Sequence, residues 1–309
     1  MLSTNVLKTS LKRLPYILLS LVLLMCAAQL HSETLYLGSI GDDPDEEIKE
    51  FQSLANYLKK YLKKDGVDDV KTVVASNQAT MVNYVTRGKV HIYIDSPFPS
   101  MTIAKETGST IFLRRWKKGV SEYHSVIFSR KDSGIDSLDA INGNIIAFED
   151  PFSTSSYFLP KTTLLEKGFK LQEVSQGGQI SADQIGYLFS DDDRNTMLWV
   201  LRKKVAVGAM NRASYVKYAK KRIKDLQIIG SSLSVPRHVV SYSASVSQKR
   251  VIKIKEILTN MHFTEEGKAA LTSFSKTSKF DSFPGGIDTY LKRNFLVLHH
   301  QTKKPNLMS

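Results

Sequence analysis

The stretch Phe148-Glu-Asp-Pro-Phe-Ser-Thr-Ser-Ser-Tyr-Phe-Leu-Pro160 decides how the chain is read. The apolar run Ile145 to Phe148 reads as a buried strand, and Asp150-Pro151 ends it because proline cannot continue a ladder. Four hydroxyl residues follow, Ser153 to Ser156, and then Leu159, Leu164 and Leu165 recur at helical spacing up to Gly168. The order is strand, tight turn, hydroxyl cluster, helix. The first N–H groups of a helix lack partners and carry the positive end of its dipole. An oxyanion placed there collects backbone N–H bonds, and neutral hydroxyls add donors without holding the anion permanently. An ordinary N-cap also favours Ser or Thr but needs only one. Both readings stay open at this level. Pro160 sets off the first turn as a separate piece.

The 309 residues suffice for two lobes with sizeable cores. In residues 1–32, Lys8, Lys12 and Arg13 precede a short apolar core, Ile17 to Ala28, which reads as a secretory signal. That core is too short for a comfortable membrane span. Cleavage leaves 40 Lys and Arg against 30 Asp and Glu, a formal charge of +10 rather than +13. Cys26, the single cysteine, lies inside the signal, so neither an internal disulfide nor a cysteine metal site is expected. Leu23-Leu-Met-Cys26 loosely resembles a lipoprotein cleavage box, although Met25 is a poor residue before the cysteine. Membrane attachment is expected only through the signal or a lipid at Cys26. Basic clusters such as Lys59 to Lys64 and Lys220 to Lys224 sit on predicted helices as solvated faces. No nucleic-acid motif accompanies them, so the charge implies a general attraction for anions.

Strands and helices alternate along the chain. Glu33 to Ser39 is a strand, Asp45 to Lys64 a periodic helix, Val70 to Ala75 a strand and Gln78 to Arg87 a short helix. Val90 to Asp95 runs into Ser96-Pro-Phe-Pro-Ser100, a rigid loop at a strand end, where open α/β sheets bind ligands. Ser96 and Ser100 either face a ligand or cap the helix from Ser100 to Lys105. Ile111 to Lys117 and Tyr123 to Arg130 are strands, and Asp136 to Ile141 is a short helix. Beyond Gly168, a strand is expected at Glu173 to Ser175 and a loop from Gln176 to Ile180. Helix Thr196 to Arg202, strand Val205 to Met210 ending at Asn211, and helix Ser214 to Lys221 follow. Strands Leu226 to Gly230 and Val239 to Ala244 and helices Lys249 to His262 and Glu265 to Thr272 complete the series. The class is α/β with mostly parallel sheets flanked by helices. With no linker in sight, two lobes crossed by the chain near 118–123 and 230–236 fit best. Lobe 1 is 33–118 with 236–298, lobe 2 is 119–235, and 299–309 is a loose tail.

From Leu35 to Leu291 the sequence resembles the PhnD-like phosphate-, phosphite- and phosphonate-binding periplasmic proteins of ABC importers. The motif Ala147 to Pro160 carries most of that resemblance, with Tyr123 to Ile127, Arg130 to Ile135 and Val90 to Pro97 beside it. It implies a type II periplasmic binding fold, a Venus flytrap closing by a hinge on a ligand between lobes. It also implies that Ser153, Thr154 and Ser155 hold phosphonate oxygens, with lobe 1 loops and Tyr123 completing the pocket. The sequence departs from the family at Ser156 and Ser96, where glycine is common, and at Ser100, where a ligand tyrosine is common. His91 replaces an aspartate and is expected to pack at its strand. Asp193 stands where a family histidine lies, and Ala206 where an aspartate lies. The oxyanion end is kept and the far end is rewritten. Asp191 to Asp193 read as a solvated helix start, with a ligand role for Asp193 as the alternative, and Asn211 is a further ligand candidate.

No Gly-x-Ser-x-Gly elbow or His-Glu-x-x-His helix is present, and His124, His238 and His262 have no partner at motif spacing. The expectation is an exported receptor for a small anion, serving an ABC permease, with no catalysis, cofactor or metal. The alternative is a receptor that reports occupancy to a membrane sensor protein.

Overall fold

The structure, a computed structural model, describes residues 33–175 and 177–286. The signal, Cys26, the tail and the 287–298 portion of lobe 1 lie outside the described residues. In chain order the elements begin with β1 (Glu33–Ile40), α1 (Pro44–Leu62), β2 (Val67–Ala75), α2 (Gln78–Thr86), β3 (Ile92–Asp95), α3 (Pro97–Thr107) and β4 (Thr110–Arg115). Next come β5 (Glu122–Tyr123), β6 (Ser125–Arg130), β7 (Ile145–Phe148), α4 (Leu159–Glu166), β8 (Lys170–Glu173), β9 (Gln184–Phe189) and α5 (Asp193–Leu201). Then follow β10 (Val207–Asn211), α6 (Arg212–Ala219), β11 (Leu226–Ser231), β12 (Val235–Pro236), β13 (His238–Tyr242), α7 (Gln248–Asn260), α8 (Glu265–Ser273) and β14 (Phe280–Asp281).

Two six-stranded sheets form two lobes, in the orders β14-β4-β13-β3-β1-β2 and β11-β6-β10-β7-β9-β8. Within each sheet most strands run one way. β1 pairs in parallel with β2 and β3, and β7 with β9 and β10. The strands that run against the others include β6 and β13, each antiparallel to both of its neighbours. Each is the strand by which the chain enters a lobe from the other lobe. It therefore starts at the inter-lobe end, where strands leaving βα units finish. The crossings themselves pair as a short antiparallel ribbon, Val235 with Tyr123 and Pro236 with Glu122. The strand expected over Tyr123 to Arg130 is thus two pieces, β5 in the ribbon and β6 in the second sheet.

Local chemistry sets the elements. In α1 the Asp43 carboxylate accepts from the Glu46 N–H at 3.1 Å, Pro44 fits the first turn, and acids open and lysines close the helix. Its buried face, Phe51, Leu54, Leu58 and Leu62, packs on Leu35, Leu37 and Ile92 of the first sheet. The second sheet buries one face under α5 and α6, through Phe128, Met197, Val200 and Tyr215. Its other face packs Ile127, Ile146, Phe148 and Leu164. Gly208 of β10 lets α5 approach closely, since a Cβ there would lie 2.8 Å from Phe128 and 2.9 Å from Val200. A further apolar cluster joins the lobes: Phe98 and Met101 of α3 meet Phe158, Leu159, Val235 and Val239. Phe98 and Phe158 stack at 4.2 Å with planes 11° apart.

Several boundaries differ from the expectation. α3 starts at Pro97 rather than Ser100, because proline is well placed at the first helical position. α5 starts at Asp193, its cap being Asp192, which accepts from the Arg194 and Asn195 N–H groups. The helix expected over Asp136 to Ile141 is a single 3-10 turn, Asp139–Ile141. The strand expected at Glu173 to Ser175 lies at Lys170–Glu173, and β9 was not anticipated at all.

Candidate functional site

The strand ends of both sheets and the ribbon enclose a cleft of about 610 Å³. The segment after β7 enters it as expected, but its first turn, Thr154–Phe158, is π-helical and continues into α4. Pro160 explains the widening. It offers no N–H to the Ser156 carbonyl, and that carbonyl accepts instead from the Glu149 N–H at 3.3 Å. The Ser155 carbonyl takes the Ser125 hydroxyl. The Phe158 N–H reaches back to the Ser153 carbonyl at 3.0 Å.

Each of the four consecutive hydroxyls has its own environment. Ser153 is the cap, accepting from the Ser156 N–H at 3.1 Å. Thr154 reaches the other lobe, accepting from the Phe98 N–H at 3.0 Å and donating to the Ser96 hydroxyl at 3.0 Å. Ser155 lies with Tyr123 at the wall of the cleft. Ser156 is fully buried and donates to Asp193 Oδ1 at 2.7 Å. Ser153, Thr154, Ser155, Tyr123, Ser96, Asp193 and Asn211 all line the cleft. Ser156 and Ser100 do not. Ser100 is 0 % exposed with an unpartnered hydroxyl, because the early start of α3 turns it inward. Asn211 caps α6, its side chain accepting from the Ser214 N–H at 2.9 Å. His91 packs at its strand, its Nδ1 accepting from the Tyr36 N–H at 3.0 Å.

The cleft also holds groups that sequence reasoning passed over. Arg237 follows β12, and its guanidinium lies 4.7 Å from the centre of the Tyr123 ring. Among the described residues it has no carboxylate partner within salt-bridge distance. Arg115, by contrast, is committed: it bonds Glu50 at 3.1 Å and the Phe274 carbonyl at 3.0 Å and stacks on Phe274. Lys117 stands 3.7 Å from Glu50, and burial, then the charge of Arg115, lowers its pKa. His238 is buried, and that burial with nearby Lys117 keeps it neutral well below its ordinary range.

Eight carboxylates and five cations line the cleft, so it is not a uniformly positive funnel. Attraction for an anion must be local, and several carboxylates are moderated. Burial raises the pKa of Asp95, which accepts from the Tyr93 hydroxyl at 2.7 Å. Burial, then the charge of Asp193, pushes Glu149 up to about 7. Burial also raises Asp193 itself and the Tyr123 hydroxyl. A protonated Glu149 is a donor rather than a competing anion. Among the described residues no cluster of three or more His, Cys, Asp or Glu could hold a metal ion.

The family model for the ABC transporter phosphonate periplasmic substrate-binding protein matches residues 41–283. The chain belongs to that family. Among solved structures, this phosphonate-binding-family protein is similar to XAC2383 from Xanthomonas citri bound to chloride ion, at 23 % identity and a TM-score of 0.81, over 86 % of this chain and 98 % of that one. It is also similar to PhnD1 from Prochlorococcus marinus in complex with methylphosphonate, at 16 % identity and a TM-score of 0.62, over 88 % and 99 % of the two chains. A binding protein component of an ABC phosphonate transporter from Pseudomonas aeruginosa matches at 19 % identity and a TM-score of 0.58, over 90 % and 91 %. These likenesses give the phosphonate-binding-family chain its two-lobed periplasmic-binding fold.

Proposed function

We propose that the chain captures a small oxyanion of the phosphate, phosphite or phosphonate type in its cleft and delivers it to the permease of an ABC importer. One observation carries the reading. Ser96 from lobe 1, Tyr123 and Arg237 at the crossings, and Ser155 from lobe 2 gather at one end of the cleft, with Thr154 bridging the lobes beside them. Arg237 supplies charge, the hydroxyls supply donors, and Glu149, whose pKa burial and then Asp193 raise to about 7, adds a donor when it carries its proton. The family match and the fold shared with a methylphosphonate-bound PhnD1 support it. Ser153, Asp193 and Asn211 shape the remaining lobe 2 wall. No bond is broken in this role.

We place the lobe limits at 33–118 with the residues from 236 onward and at 119–235, and we take the ribbon of β5 and β12 as the hinge. Residues 1–32 direct export to the periplasm. Calorimetry with phosphate, phosphite and methylphosphonate tests the binding, on the natural chain and on Ser155→Ala. Saturable binding that the substitution weakens supports the reading. A natural chain that binds none of the three rejects it.

A further inference from the structure

The second sheet has two ends of opposite character. Its cleft end carries Glu149, Asp150, Asp191 and Asp193. Its far end is formed where β6 stops and where β10 and β11 begin. Three connections meet there: the turn after β6, the segment after α5, and the 3-10 turn Lys220–Asp225 before β11. Two adjoining hollows of about 580 Å³ and about 430 Å³ share Arg130 and Lys203. Together they are lined by Arg130, Lys131, Lys203, Lys204, Arg222 and Lys224, against only Asp132 and Asp225.

Part of this charge is consumed locally. Arg130 bonds the Val200 carbonyl at 2.7 Å and Asp132 at 2.8 Å, Lys203 pairs with Asp132 at 3.0 Å, and Arg222 pairs with Asp225. Cations at helix C-termini also complement the dipole. A surplus remains. Among the described residues, Lys131, Lys221 and Lys224 are exposed and have no acidic partner. Within the same basic turn Ile223 is 41 % exposed. An isolated apolar side chain set among lysines is poor chemistry for an acidic protein face and suits an interface that is charged outside and apolar beneath. No helix among the described residues is long and apolar enough to cross a membrane, so contact at this surface is peripheral.

We propose that this pole of lobe 2 docks on an anionic phospholipid surface, the cations meeting headgroup phosphates and Ile223 entering the headgroup boundary. The attraction is electrostatic and therefore screened by salt. Docking here leaves the cleft, at the opposite end of the sheet, open to ligand and transporter.

Vesicle sedimentation tests it, with the purified full chain and with a Lys131→Glu, Lys221→Glu, Lys224→Glu variant. The vesicles are phosphatidylcholine alone or phosphatidylcholine mixed with phosphatidylglycerol. The natural chain is expected to favour the acidic vesicles, and the variant to lose about tenfold or more of that binding. Ile223→Ser is expected to lose a smaller part. The exposed lysines leave the fold intact, which unchanged thermal unfolding of the variant verifies. Both chains are also prepared as the mature form from residue 33, free of the apolar signal, and equal retention of the two mature forms on acidic vesicles overturns the proposal. So does capture by immobilised polyglutamate without any preference for acidic vesicles, which would assign the surface to an acidic protein.

Discussion

The Thr154 hydroxyl accepts a hydrogen bond from the Phe98 N–H at 3.0 Å, and the bond runs from one lobe to the other. Thr154 also donates to Ser96, so its hydroxyl ties the two lobes together. Replacing it with valine leaves a buried N–H without a partner. The expected cost is about 1–3 kcal/mol in the ligand-free protein. Thermal or denaturant unfolding without ligand measures it, and Thr154→Ser should restore most of the loss. An unchanged ligand-free stability in Thr154→Val would show that the bond carries no weight.

The stacked pair Phe98 and Phe158 lies behind that tie, in the cluster shared by both lobes. Phe158→Ala removes a ring that is 3 % exposed. A loss of about 3–5 kcal/mol is expected, with looser coupling between the lobes. Chemical denaturation gives the free energy, and a second unfolding transition would reveal lobes that no longer melt together.

Arg237 is a cleft cation with no acidic partner among the described residues, as Lys118 and Lys217 also are, but it alone of the three sits against Tyr123. Arg237→Ala should weaken oxyanion binding by about tenfold or more, the worth of a hydrogen bond to a charged group. Arg237→Lys should recover only part, since the ammonium keeps charge but loses the planar fork. Calorimetry on the three forms settles the order, and equal affinities would remove Arg237 from the site.

Glu149 makes the protein sensitive to pH. Its pKa is raised from 4.5 to about 7 in the folded chain, which therefore holds the proton more tightly than the unfolded chain. Stability contributed by this group is fully present at low pH and falls as pH rises from the unfolded value through about 7. The loss should be about 2 kcal/mol after allowance for solvent reaching the cleft. Glu149→Gln should flatten that slope in melts taken across the range. The same proton removes a repelling charge beside the ligand, so oxyanion affinity should also drop through neutrality, and less so in the glutamine form.

The sequence carried the architecture well because periodicity and punctuation are local. The strand Ile145–Phe148 stands where expected, and the segments expected to cross between lobes pair with each other, Val235 with Tyr123 and Pro236 with Glu122. The π-helical first turn was not legible, because it depends on what the carbonyls freed by Pro160 meet in space. β9 is legible in principle, since Gln184-Ile-Gly-Tyr-Leu-Phe189 is an apolar run, but it is short and follows a Gly- and Gln-rich segment that reads as loop. Ser100 and Ser156 resembled site residues by position, and only packing shows them turned inward. Arg237 is illegible for the opposite reason. A lone arginine after Pro236 has no pattern around it, and only the pairing of Val235 with Tyr123 places it at the cleft. Glu149 stands in the motif with nothing to mark its role, since its raised pKa comes from burial and then from Asp193, distant in sequence.

Tyr123 belongs at once to the pairing between the crossing segments and to the wall of the cleft. Under the function proposed, the pivot and the grip are one residue. Selection acting on how tightly such a receptor holds its cargo also acts on how easily it bends, so variants altered at Tyr123 will trade one property against the other.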